Sequence, residues 1–355
     1  MGEAERSTGE QVRGVDPSHV AAWMSNHVDD LAPPLDFSLI AGGHSNLTYA
    51  MTDQDHHRWV LRRPPLGQVL ATAHDMVREH TIITALAPTT VPVAPTIGLC
   101  TDEAVIGAPF YVMDFVDGTV VRDHASAESL TVGQRARASE SLVEVMAAIH
   151  AVDVEAVGLS DLGRHEGYID RQLTRWYRQY RGSQEQNPLI DFAAVDRVHD
   201  HLAGRIPDQQ GTAIVHGDYR LDNCMLDADG AVAAVLDWEI CTLGDPLADV
   251  GLLCVYWTDP GAVAALPQAS PTSLEGFWRR DDVLARYAEV SGRDLSGIDF
   301  YIAFGWWKLT CIIAGVYARY AGGAMGQVDD RTVDGFAEMV VTLAALADEA
   351  AAKVA

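Results

Sequence analysis

The chain has 355 residues, 48% of them hydrophobic, with 50 acidic against 25 basic residues and a formal net charge of −25. That length and apolar content exclude a disordered chain and leave room for two lobes with a sizeable core. The negative charge excludes a general binder of nucleic acid or anionic membrane, both of which need clustered Lys and Arg.

The five cysteines, Cys100, Cys224, Cys241, Cys254 and Cys311, have no paired metal-type spacing. Three lie in apolar runs, so buried thiols in a reducing compartment are expected rather than disulfides. Residues 1–16 are polar and unlike a signal peptide, and no uninterrupted apolar run nears the ~20 residues of a membrane span. A cytoplasmic protein is the expectation.

Residues 1–30 read as a tail and one amphipathic helix, Pro17 to Leu31, with Val20, Trp23, Met24 and Val28 on one side. From Phe37 the pattern turns to β: Phe37–Ile40, Leu47–Thr52 and Arg58–Arg63 suggest a meander. Its first loop, Ala41-Gly-Gly-His-Ser-Asn46, is glycine-rich. Glycine lets backbone N–H groups approach phosphate oxygens, and Ser45 and Asn46 add side-chain donors, although a plain hairpin turn fits the same residues. A helix is expected over Ala71–Leu86 with Glu79 in its middle. After the breakers Pro88 to Pro95 comes an apolar strand, Ala108–Phe115, ended by Asp117-Gly118.

Beyond that point the chain reads mostly helical. Thr131–Ala151 carries Leu142, Val145, Met146 and Ile149 at helical spacing. Gly167–Tyr180 is a basic, aromatic helix on which Arg171, Arg175 and Arg178 share a face. They suit either an anionic substrate group or salt bridges to acidic neighbours. Residues 257–276 read as a loop or flap, and Val283–Val290, Phe300–Tyr320 and Thr332–Ala352 as helices. There are only two lysines, Lys308 and Lys353.

The stretch with chemistry lies between these helices. An apolar run, Ala213–Val215, stops at His216-Gly-Asp218, and Asn223 follows five residues after Asp218. Two further apolar runs flank the turn Asp227-Ala-Asp-Gly230, and the second stops at Asp237. Two apolar runs about an Asp-Gly turn read as a β-hairpin, which returns the chain to the end where it began. An amide oxygen and a carboxylate suit magnesium, which prefers oxygen ligands and shares them with waters and phosphates. Asp218 then remains to accept a proton from a hydroxyl.

His216-Gly-Asp-Tyr-Arg-Leu-Asp-Asn223, Leu236-Asp-Trp-Glu239 and Gly244-Asp-Pro-Leu-Ala-Asp249 together resemble the aminoglycoside phosphotransferase and choline kinase superfamily. The branch of kinase-like domains associated with acyl-CoA dehydrogenases is the most similar, and the resemblance runs from about Leu39 to the C-terminal helices. It implies an α+β, bilobal protein-kinase-like fold, with a β-rich N-lobe over 31–116 and a mainly helical C-lobe over 117–355. It also implies an ATP (or GTP) and Mg2+ site in the cleft between lobes.

In this pattern Asp218 is the base and Arg220 a cation for the transferred phosphoryl group. Asn223 and Asp237 hold the metal. With no lysine before position 308, phosphate binding falls to Arg62 or Arg63, and Arg62 matches the family position. Glu79 is its ion-pair partner, and Asp114, Phe115 and Val116 form the adenine-binding hinge. Arg171, Arg175 and Glu239 are candidates for the acceptor. His216 is expected to orient the loop, and Asp245 and Asp249 to brace it.

The implied activity is transfer of the γ-phosphate to a hydroxyl of a small molecule, a hydroxyacyl compound or its CoA thioester, with no nucleic acid or membrane partner. Alternatives are an aminoglycoside- or choline-type kinase, a nucleotide-binding pseudokinase scaffold, and a metal-dependent phosphohydrolase. Oligomeric state and nucleotide preference stay open.

Overall fold

The computed structural model of the chain describes residues 12–41, 46–66, 75–186, 193–262, 270–322 and 330–354. It divides into two compact units: residues up to Gly118 with Ala233–Glu239, and Thr119–Val232 with Ile240–Ala355. The short piece 233–239 therefore belongs with the first unit, although chain order alone assigns it to the second lobe.

The first unit is built on a sheet. Its elements are α1 (Pro17–Met24), β1 (Asp36–Ala41), β2 (Leu47–Thr52), β3 (Arg58–Arg63), α2 (Met76–Leu86), β4 (Thr96–Cys100), α3 (Glu103–Ile106) and β5 (Phe110–Asp114). Among the described residues these strands form one antiparallel sheet in the order β1-β2-β3-β5-β4. The meander expected from the sequence thus gains β5 beside β3, and β4 at the edge. Tyr49, Met51, Leu61, Phe110 and Val112 meet Val20 and Met24 of α1 in the core. The β-branched and aromatic content of β2, β3 and β5 suits such a pleated, half-buried surface. Helix α1 ends at Met24, about two turns short of Leu31, where Ser25 N–H closes back on Ala21 O.

The second unit is mainly helical. It holds β6 (Thr119–Val120), α4 (His124–Glu128), α5 (Val132–His150), α6 (Tyr168–Gln186), α7 (Ala193–Ala203), β7 (Ala213–Val215) and β8 (Cys224–Leu226). Strand β9 (Val232–Val235) leads out of it, and β10 (Thr242–Gly244), α8 (Leu247–Tyr256), α9 (Arg280–Ser291), α10 (Ile298–Ala321) and α11 (Asp330–Ala351) complete it. Helix α5 opens on a capping box in which Thr131 and Gln134 exchange side-chain and backbone hydrogen bonds.

Apolar along its length, α10 is a core helix. Phe304, Trp307 and Cys311 are buried, and it packs against α6, α7, α8 and α11. Strand β7 pairs with β10 antiparallel, a pairing with no signal in the sequence beyond two short apolar runs. All five cysteines are buried free thiols.

Candidate active site

In the first unit the expected nucleotide-side residues converge. Strand β3 ends on two arginines that alternate across the sheet. Arg63 turns to the carbonyls of Gly14, Pro64 and Ile106 and is buried there. Arg62 turns the other way. Its Nε lies 2.9 Å from Glu79 Oε2 on α2, and its Nη2 lies 2.5 Å from Asp237 Oδ1. Arg62 is therefore the cation of this cluster.

Glu79 is itself buried; it accepts from Tyr111 Oη at 3.0 Å and from Asn46 Nδ2 at 2.8 Å. The same Asn46 amide donates to Glu239 Oε2 at 3.3 Å. Burial opposes the charge on Arg62, but Tyr111, Glu79 and Asp237 outweigh it and hold its pKa above the usual value. Burial pushes the Glu79 carboxyl up, against the pull of Arg62 and the Tyr111 hydrogen bond.

Asp237 reaches this cluster because 233–239 is tied into the first unit. Val235 N–H donates to Pro92 O at 2.8 Å, and the buried Trp238 indole donates to Val235 O at 3.1 Å. Asp237 sits between them at φ 62°, a left-handed conformation that Asp tolerates better than most residues. Glu239, expected to bind the acceptor, belongs instead to the Asn46 cluster. Ser45 lies outside the described residues.

The hinge residues differ from one another. Asp114 N–H donates to Pro95 O at 2.8 Å and Phe115 N–H to Arg58 O at 3.4 Å, so both amides are spent inside the sheet. The Arg58 guanidinium covers the Phe115 ring at 4.1 Å and binds Asp117. Val116, half-buried, follows them before Gly118.

In the second unit the loop after β7 carries the remaining residues. Its framework is buried: Tyr219 donates to Leu142 O of α5 at 2.8 Å, and His216 is fully enclosed. Asp249 of α8 accepts from His216 N–H at 2.7 Å and Gly217 N–H at 2.8 Å, and its own carboxylate meets His150 Nε2 at 3.3 Å. Burial pushes the Asp249 carboxyl up; His150, His216 and the Gly217 N–H together outweigh it and hold it below the usual range. Asp245 caps Leu247 N–H and accepts from Tyr301 Oη at 2.7 Å.

On this loop Asp218 and Arg220 both reach outward, each side chain 31% exposed. Asn223 Nδ2 donates to both the backbone carbonyl and Oδ2 of Asp218, each at 2.8 Å. Because an amide nitrogen is its only donor group, this arrangement leaves Asn223 Oδ1 as an acceptor for a cation. Arg220 Nε lies 3.4 Å from Asp218 Oδ1 and its Nη2 2.8 Å from Asp222, with the guanidinium 4.6 Å from the Tyr256 ring centroid.

Asn223 in the second unit carries an amide oxygen and Asp237 in the first a carboxylate, both donor types that magnesium accepts. Arg171, a candidate for the acceptor, donates to the carbonyls of Glu166 and Arg164 in the loop before α6. Arg175 is exposed, its guanidinium 5.0 Å from the Trp176 ring centroid.

The sequence reading missed Lys308 in the middle of α10. Its Nζ donates to Gly217 O at 3.2 Å, and burial pushes its pKa down. A lone lysine inside an otherwise apolar helical run was the available signal.

The mouse protein acyl-CoA dehydrogenase family member 10 is 33% identical over 324 residues, which cover 90% of this chain and 30% of that protein. The chain therefore spans under a third of that relative's length. A Ralstonia eutropha JMP134 crystal structure, described as a candidate aminoglycoside phosphotransferase, is 34% identical with TM-score 0.80. The match covers 96% of this chain and 99% of that one. The GDP complex of aminoglycoside 2'-phosphotransferase-IIIa shares the protein-kinase-like fold at 14% identity and TM-score 0.61, over 93% and 99% of the two chains. A family model described as "Phosphotransferase enzyme family" matches residues 36–289. With most of its length inside that match, the chain belongs to the phosphotransferase enzyme family.

Proposed function

We propose that the chain transfers the γ-phosphate of ATP, or GTP, to a hydroxyl of an anionic small molecule, a hydroxyacyl compound or its CoA thioester. The observation that carries this reading is the Asp218 carboxylate. It stands partly exposed on a buried loop, aligned by Asn223 and with Arg220 beside it.

In the transfer, the acceptor oxygen forms a bond to Pγ while the bond from Pγ to the β–γ bridging oxygen breaks, releasing ADP. The acceptor proton passes to an oxygen of Asp218. Arg220 offsets negative charge on the moving phosphoryl group. Arg62 grips the nucleotide phosphates, and Glu79 holds Arg62 in place. Asn223 and Asp237 would each offer an oxygen donor to magnesium, which would supply charge neutralisation to the nucleotide phosphates.

Two features favour an anionic acyl acceptor. Arg175 brings an exposed positive charge to the same unit as Asp218. The mouse relative is named as an acyl-CoA dehydrogenase family member. The test is a phosphorylation screen with MgATP over hydroxyacyl-CoA thioesters, free hydroxy acids, aminoglycosides and choline, read by mass spectrometry. A thioester or hydroxy acid should gain one phosphoryl group with the wild type and not with Asp218→Asn. Turnover of aminoglycosides alone would move the assignment to a polycationic acceptor. Nucleotide binding with no turnover of any acceptor would make the chain a pseudokinase.

A further inference from the structure

The peptide unit that joins Gly217 to Asp218 is held at both of its polar ends. Its N–H, that of Asp218, donates to His216 Nδ1 at 3.3 Å. Its carbonyl, that of Gly217, accepts from Lys308 Nζ at 3.2 Å. One residue earlier, Gly217 N–H donates to Asp249 Oδ1 at 2.8 Å. Gly217 has φ 86°, a conformation open to glycine at little cost, so its backbone has no steric preference that would keep it there unaided. The restraint has to come from partners, and they come from α8 and α10.

Lys308 is an expensive partner. It lies in the buried middle of α10, among Trp307, Leu309 and Cys311. Its ammonium is 5.8 Å from the Trp176 ring centroid, with Asp249 and Asp218 as the attracting charges and Arg175 as the opposing one. Burying an ammonium is costly unless it is paired, and an apolar side chain of the same length would fill the helix face without that cost. What the ammonium provides that an apolar chain cannot is a grip on Gly217 O.

We propose that Lys308 is a positioning residue for phosphoryl transfer, fixing the plane of the Gly217–Asp218 peptide and through it the direction of the Asp218 carboxylate. This rests on Asp218 being the base. Loss of the grip lets the peptide rotate and carries the carboxylate off line, and displacement of a reacting group by about 1 Å can cost on the order of 100-fold in rate.

The experiment pairs an activity-free readout with kinetics, using ATP with water as the acceptor. In Lys308→Met, amide hydrogen exchange at His216, Gly217 and Asp218 should quicken by about tenfold or more, while peptides from β3 and α2 stay at wild-type rates. The kcat for MgATP turnover should fall roughly 10- to 100-fold with KM for MgATP nearly unchanged, and Lys308→Arg should regain most of it.

Wild-type exchange at those three amides together with wild-type kcat overturns the proposal. If Lys308→Met does not fold, Lys308→Gln, which is shorter and uncharged, takes its place under the same two criteria. A wild type that binds ATP but phosphorylates no acceptor, water included, defeats the base assignment of Asp218. The exchange rates then decide by themselves whether Lys308 holds the loop.

Discussion

Arg62 Nη2 lies 2.5 Å from Asp237 Oδ1, two residues 175 positions apart in the chain. The cation proposed for the nucleotide phosphates and the carboxylate proposed for the metal are thus paired with each other in the ligand-free chain. On the proposed reading nucleotide and metal would each take over one half of this pair, which orients both side chains.

Arg62→Ala should therefore act on two observables. Glu79 is buried and would be left without its cation, which typically costs about 3–5 kcal/mol of stability. ATP affinity should fall by roughly tenfold or more, as for loss of a charge-assisted contact. Urea unfolding and nucleotide titration check the two separately. Adding Glu79→Gln should return part of the stability and none of the ATP affinity; recovery of both would mean that Arg62 serves only the fold.

Asp218→Asn is nearly isosteric, and Asn223 can still donate to the new amide oxygen. The fold and nucleotide binding should persist, while phosphoryl transfer falls by roughly 100- to 10,000-fold, the range for loss of a general base. Single-turnover kinetics with MgATP and a hydroxyl acceptor that the wild type phosphorylates measures this. A variant within about twofold of wild type would remove Asp218 from the base role.

Much of this arrangement was legible in the chain because the residues concerned are close in sequence. His216, Asp218, Arg220 and Asn223 share one loop, and alternation along β3 separates Arg62 from Arg63 without any tertiary information. The Glu79 partnership required the kinase pattern, since a glutamate in mid-helix is ordinarily solvated. Asp249 as a brace of the loop likewise came from the kinase pattern. Lys308 was hidden because it reaches Gly217 from 91 positions away, a separation that leaves no periodic signature. The roles of Glu239 and Arg171 stayed open because a charge beside a motif does not reveal whether protein or substrate satisfies it. Here Asn46 and backbone carbonyls do.

The Asp249 carboxyl makes stability depend on acid. Its folded-state pKa is depressed, so its contribution is present above the unfolded value of 3.8 and is lost as pH falls through the folded value. Asp249→Asn should cost roughly 2–4 kcal/mol near neutrality, because an amide cannot accept from His216 and Gly217 N–H as a carboxylate does. The gap between wild type and variant should narrow as pH drops below about 4. Urea unfolding between pH 6 and pH 3 reads it, and a gap that widens with acid would contradict the sign.

Gly251 marks the closest approach of α8 to α10. A Cβ added there would meet the Tyr301 carbonyl carbon and oxygen at 2.4 Å, and backbone atoms cannot swing aside as a flexible side chain can. Gly251→Ala must therefore push α10 away from α8, with a cost of about 1–3 kcal/mol from overpacking. The displacement also bears on the active site, since Asp249 is on α8 and both Lys308 and Tyr301, the partner of Asp245, are on α10. The expected result is a lower thermal midpoint together with a fall in kcat larger than any change in KM for MgATP. A variant with the lower midpoint but wild-type kcat would show that the loop tolerates movement of the helices that hold it.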